Sequence, residues 1–248
     1  FGIMSNGPHG RARRDSIRKT WGEGNTLFFL VAGDWTDVED EYNNIRDILW
    51  IDQPEQYRNK ISSTGPRKGA MTFKSEAFFI AMYNQVLTQS PNVKYFFKTD
   101  DDCYVNVNHL EREISAESEE KPVDYWGECH ELEKPYRHPD TRWYVSYPDY
   151  PYAYYPKFCS GLGYVLSPNF LECAVGEGHV EKVPYLTNED GTVGILAEKC
   201  GMEPSISSWL NVEWHIRDDM TTKISVQHNV KTEEVMMELH GHALAQDV

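Results

Sequence analysis

The sequence predicts an α/β fold with a mixed, mostly parallel central sheet flanked by helices. Three observations predict it. Short apolar runs alternate with longer stretches of helical period. Gly and Pro clusters punctuate them. No internal repeat or low-complexity segment interrupts the 248 residues. The elements follow in order. Residues 1–4 read as a short strand entering a Gly/Pro loop, and 14–21 as a helix. Residues 27–31 form a buried apolar strand ended by Gly33. An acidic helix spans 37–49, and a Gly/Pro/Lys loop spans 62–69. Residues 73–87 put Phe73, Ala77, Ile80, Ala81 and Leu87 on one broad apolar face, the mark of a helix. Residues 94–97 form a short apolar strand, and the polar stretch 115–122 reads as an exposed loop. Residues 142–155 are dense in Trp, Tyr and Pro. Residues 164–166 read as a buried strand, and 192–200 as a helix capped by Gly201. We expect one domain, 1–248, with a soft division near Asn108.

Composition narrows the partners. Hydrophobic residues make up 40% and charged residues 25%, as in ordinary globular chains. The net charge of −15 argues against nucleic acid and against polyanionic membrane surfaces. No apolar run approaches the roughly 20 residues that span a bilayer. A membrane association is therefore expected only through an anchor that this sequence does not contain. The five cysteines include no C-x-x-C pair, which disfavours zinc. One or two disulfides with a leftover thiol, or buried reduced cysteines, both remain open. No Asn-x-Ser/Thr site occurs.

The most informative stretch is 98–106, KTDDDCYVN, directly after the strand 95–97. Open α/β sheets bind ligands beyond the carboxyl ends of their strands. Three adjacent carboxylates repel one another unless a cation or solvent relieves them. Hard divalent cations take such oxygens and complete their shells with water and phosphate. Asp102 is the expected direct metal ligand, and an acidic surface turn is the bland alternative.

Four blocks, in order, resemble the β1,3-galactosyltransferases and β1,3-N-acetylglucosaminyltransferases, and more distantly the Fringe enzymes. The first is 13–21, RRDSIRKTW, similar to the family's R-x-x-I-R-x-T-W. The second is KTDDDCYVN. The third joins Arg142-Trp143-Tyr144-Val145-Ser146 to 155–167, YPKFCSGLGYVLS. The fourth is 189–194, EDGTVG, similar to E-D-V-x-x-G. The resemblance implies a GT-A type fold, a UDP-sugar donor, a glycan acceptor, Mn²⁺ (Mg²⁺ as substitute) and inversion at the anomeric carbon. It divides the chain into a UDP-sugar-binding half, 1–108, and an acceptor-binding and catalytic half, 109–248. It also implies the Golgi lumen, as the catalytic part of a type II membrane protein. Departures fall at Met71-Thr72-Phe73-Lys74-Ser75, the remnant of N-L-T-x-K-T, and at Leu162 and Gly191. They bear on acceptor preference.

An inverting transfer needs a positioned base and stabilisation of the leaving diphosphate. Asp190 is the expected base, at a loop entering a helix whose dipole would favour its ionised form; an N-cap role is the alternative. Glu189 is its partner or an acceptor contact. Asp100 and Asp101 are expected on the nucleotide sugar and ribose, with support of the metal ligand from behind as the alternative. Arg14 and Arg18, spaced i, i+4, are expected near the diphosphate, with a solvated helix face as the alternative. Gly161 and Gly163 are expected to pass close to the donor or to another segment. Trp143 and Tyr155 are offered to acceptor sugars, with core packing as the alternative. His228 resembles the family's closing His and is expected on the metal; His215 and His240 stay open. Galactose is the favoured donor sugar, N-acetylglucosamine the next. A non-catalytic glycan-binding or scaffold domain is the competing reading.

Overall fold

The computed structural model describes residues 1–55, 69–184, 186–206, 212–213 and 225–246. Most of the loop expected at 62–69 lies outside them, as does His215.

Among the described residues, ten strands form two sheets. The large sheet has the order β3-β2-β1-β4-β7-β6-β8. Its strands are β1 (Gly2–Met4), β2 (Phe28–Ala32), β3 (Ile48–Ile51), β4 (Phe96–Asp100), β6 (Tyr125–His130), β7 (Phe158–Leu166) and β8 (Ser205–Ile206). All run the same way except β7, which opposes β4 and β6. The small sheet has the order β5-β10-β9, from Cys103–Val105, Val226–His228 and Val212–Glu213. The expected mixed, mostly parallel sheet is therefore observed.

Alternation along each strand feeds two cores. Leu30, Phe96, Tyr164 and Leu166 enter one; Phe29, Val31, Phe97 and Val165 enter the other. All nine residues of β7 are buried, as befits a strand covered on both faces. Helices α3 (Ala70–Ala81, continued by a π-helical stretch Met82–Leu87) and α6 (Glu189–Lys199) cover the first core. Helices α1 (Gly7–Arg18) and α7 (Glu233–Gln246) contact each other beside the second. Among the described residues, no helix is long and apolar enough to cross a membrane.

Several expected boundaries change. Helix α1 starts at Gly7 because Pro8 suits a first helical turn. The acidic helix is only α2 (Glu39–Ile45); Arg46 ends it in the left-handed region and β3 follows. The polar stretch expected as a loop at 115–122 belongs mainly to α4 (Val107–Glu120), whose N-cap Asn106 accepts from His109 N at 3.1 Å. The short α5 (Pro168–Leu171) follows β7. The cysteines settle as Cys129–Cys159 and Cys173–Cys200, with Cys103 buried and free.

Candidate active site

Strand β4 ends at Asp100 and β5 begins at Cys103, so Asp101 and Asp102 form the turn between the sheets. The three carboxylates point to different surroundings. Asp101 turns inward, where Ser5 Oγ donates at 2.7 Å and Arg13 Nη1 at 2.8 Å. Asp100 keeps a quarter of its side chain exposed and Asp102 a fifth. Asp102 Oδ1 lies 3.6 Å from His228 Nε2. Antiparallel pairing causes this, because β10 sets His228 opposite Cys103. Val230 N also donates to Asp102 O at 2.8 Å, just past Asn229 in the left-handed region. His240 lies elsewhere, its Nδ1 3.3 Å from Tyr104 Oη. A carboxylate oxygen and an imidazole nitrogen on a part-exposed ledge are donors of the kind that could hold a divalent cation. The described three-ligand grouping of Cys173, Glu177 and His179 spends its cysteine on a disulfide.

The second and fourth sequence blocks meet at Lys98. Its ammonium is 1% exposed and donates to Gly161 O at 2.6 Å and to Asp100 Oδ1 at 3.0 Å. Glu189 Oε2 lies 3.7 Å away. Burial opposes the Lys98 charge, but Asp100, Glu189 and Asp190 outweigh it and hold its pKa above the ordinary value. Glu189 is 3% exposed and accepts from Ser75 Oγ and, at 2.8 Å, from Tyr164 Oη. Burial would raise its pKa, yet Lys98 and these hydrogen bonds bring it below the usual range. Asp190 behaves oppositely. Burial first, and then the Glu189 charge and hydrogen bond, push its carboxyl well above the usual range; Lys98 and the Gly161 backbone pull less strongly the other way.

This corrects the expectation that the helix dipole would favour ionised Asp190. Desolvation and a like charge win over half a unit of helix charge. Nor is Asp190 the N-cap: Asn188 is, accepting from Gly191 N at 2.9 Å, and Asp190 lies in the first turn of α6. Gly161 is required here. A Cβ on it would lie on top of Asp190 Oδ1 and 3.1 Å from Lys98 Nζ.

The remaining expected residues separate. Arg14 is fully buried. It donates to Glu41 Oε1 at 2.8 Å and Oε2 at 2.6 Å, to Ser5 Oγ at 2.9 Å, and to the carbonyls of Asn6 and Gly7. Arg18 is held by Asp15, Glu41 and Asp47. Their donors are consumed, so both brace α1 against α2 and neither is free for a diphosphate; Arg13 is the α1 arginine that reaches the triplet. Gly163 packs against Phe97 and Val226, a segment contact. Tyr155 is 4% exposed, stacked on Tyr150 at 5.1 Å and set edge-on to Phe158, so its faces are closed to a sugar. Trp143 is half-buried under the Arg142 guanidinium, 4.6 Å from its ring. Lys98, Ser5 and Arg13 went unassigned from sequence. For Lys98 a signal existed: it shares a strand face with Asp100 at i, i+2.

A family model described as Galactosyltransferase matches residues 12–207. The chain belongs to the galactosyltransferase family. The match takes in the blocks around Arg14, Lys98, Trp143 and Asp190. The chain is 30% identical over 200 residues to beta-1,3-galactosyltransferase 5 of Pan troglodytes, covering 76% of this chain and 61% of that protein. The Mus musculus protein of the same name is 31% identical over 206 residues, covering 78% and 61%. UDP-GalNAc:beta-1,3-N-acetylgalactosaminyltransferase 1 of Rattus norvegicus is 27% identical over 246 residues, covering 88% and 62%. The chain thus spans about three fifths of the length of these relatives. The α/β class and the mostly parallel sheet with its flanking helices agree with the architecture expected for this chain.

Proposed function

We propose that this galactosyltransferase-family chain is the catalytic part of a metal-dependent, inverting β1,3-glycosyltransferase. It moves a hexose, galactose before N-acetylglucosamine, from a UDP-sugar to a glycan. The observation that carries this reading is the convergence of Asp100, Gly161, Glu189 and Asp190 on one buried ammonium, Lys98, at the carboxyl end of β4. The donor lies over the 1–108 half and the acceptor over the 109–248 half.

The reaction is a single displacement. The acceptor oxygen forms a bond to the anomeric carbon as its proton passes to an Asp190 oxygen. The bond from that carbon to the diphosphate breaks on the opposite face, and UDP leaves with the electron pair. A divalent cation held by Asp102 and His228, Mn²⁺ before Mg²⁺, would offset the charge growing on the diphosphate. Asp190 suits its part because a raised pKa makes the ionised carboxylate a stronger base. Glu189 and Lys98 hold its position, and Gly161 leaves it room. Asp100 faces the donor sugar, and Trp143 borders the acceptor side. The two disulfides fit an oxidising compartment such as the Golgi lumen.

Asp190→Asn tests the reading. With UDP-galactose, Mn²⁺ and a panel of glycan acceptors, we expect transfer to fall by about 10²–10⁴-fold while UDP binding persists. Wild-type protein that binds UDP and glycans yet transfers nothing would put the non-catalytic glycan-binding domain first.

A further inference from the structure

We propose that the loop 132–154 carries a second acceptor subsite, a platform of exposed tyrosines that holds the distal sugars of a neutral oligosaccharide while its terminal sugar faces Asp190. This rests on the acceptor reading above. Large exposed aromatic groups are the informative exceptions on a protein surface. Tyr136, Tyr147, Tyr152 and Tyr154 are 53%, 65%, 66% and 43% exposed, and all lie on this loop.

The loop that carries the rings is held in place. Arg137 donates to Val145 O at 2.9 Å and to the carbonyls of Tyr150 and Tyr152 at 2.8 Å each. Its guanidinium also lies 4.2 Å from the centre of the Tyr147 ring. Tyr150 Oη donates to Tyr154 O at 2.9 Å. A loop fixed before binding loses less entropy when a ligand arrives.

Buried rings anchor the platform to the segment that carries the base. Tyr152 meets Tyr150 edge-on at 5.2 Å, Tyr150 stacks on Tyr155, and Tyr155 packs against Gly191, the neighbour of Asp190. Thr187 Oγ1 adds a bond to Tyr144 O at 2.8 Å, tying the loop to the entry of α6. The chemistry selects the occupant. Arg137 spends its amino groups on backbone carbonyls and so serves the loop rather than a ligand. What it presents is flat ring faces edged by hydroxyls. Sugars offer the complement, apolar C–H faces edged by hydroxyls, and tyrosine supplies such area with little conformational entropy to lose.

The test pairs each of two tetrasaccharides with a monosaccharide glycoside ending in the same sugar. Lacto-N-neotetraose goes with p-nitrophenyl β-galactoside, and chitotetraose with p-nitrophenyl N-acetyl-β-glucosaminide. For the pair that is turned over, we expect the wild type to prefer the tetrasaccharide in kcat/KM. In the Tyr147→Ala/Tyr152→Ala variant this preference should fall about tenfold, mainly through KM. Both side chains are more than half exposed, and an unchanged Tm would verify folding. A wild type indifferent to length, or a variant that keeps the full preference, overturns the platform. Saturation-transfer NMR separates its failure from failure of the transferase reading. If neither pair is turned over, tetrasaccharide binding that the variant loses supports the platform, and no tetrasaccharide binding by the wild type overturns it.

Discussion

Glu189 and Asp190 are adjacent in the first turn of α6, yet their carboxyls are driven in opposite directions. Glu189 has Lys98, Ser75 and Tyr164 to support its charge; Asp190 has the charge of Glu189 beside it. Two consequences are measurable. Transfer needs ionised Asp190, so kcat/KM should fall toward acid pH through a limb above the usual carboxylate value of about 4. A limb at the ordinary value would contradict the arrangement. Stability should run the other way. A carboxyl whose folded pKa is raised contributes its full stability below its unfolded pKa and loses it as pH rises through the folded one. Asn carries no charge to penalise, so Asp190→Asn should be at least as stable as the wild type at neutral pH while nearly inactive. A Tm series across pH on both proteins tests this. The types of these residues were legible in the sequence, since Asp190, Asp102 and His228 stand out in their blocks. Their electrostatics were not. One lysine serving carboxylates from two distant blocks depends on β7 lying between β4 and the start of α6, which no local pattern encodes.

Elements explain where the sequence reading stopped short. The acidic run 37–49 has enough helical character to hide β3, and only Arg46 in the left-handed region marks the break. The polar residues at 115–119 are mainly the wet side of a helix, not a loop, because α4 buries only a stripe that includes Leu110 and Ile114. Helix α1 shows the reverse case. Its arginines have phosphate-binding spacing, but α2 brings Glu41 beneath them, and a buried carboxylate takes Arg14 entirely. Arg14→Met should therefore cost stability, about 3 kcal/mol by urea denaturation, because Glu41 loses its best partner. Folded Arg14→Met should still bind UDP. A loss of UDP binding with little change in stability would return Arg14 to the donor site.

At the scale of the whole molecule, the site lies where the large sheet hands over to the small one. Asp102 is on the connecting turn and His228 returns from the far end of the chain. The α/β class and the order of the blocks were readable from sequence because both are local. The small sheet was not, since its three strands are two or three residues long and come from distant segments. Disulfides brace the half that carries Asp190: Cys129–Cys159 links β6 to β7, and Cys173–Cys200 ties the segment after α5 to the end of α6. Replacing Cys173 and Cys200 by Ser should lower stability by about 2–4 kcal/mol, read by denaturant titration, and leave UDP binding intact. The most direct measurement of the central claim is UDP binding by calorimetry, with and without Mn²⁺, on the wild type, Asp102→Ala and His228→Ala. We expect Mn²⁺-dependent binding by the wild type and its loss in both variants. Well-folded wild-type protein that ignores UDP in the presence of Mn²⁺, or variants that bind it as the wild type does, would contradict a metal-assisted nucleotide-sugar site at Asp102 and His228.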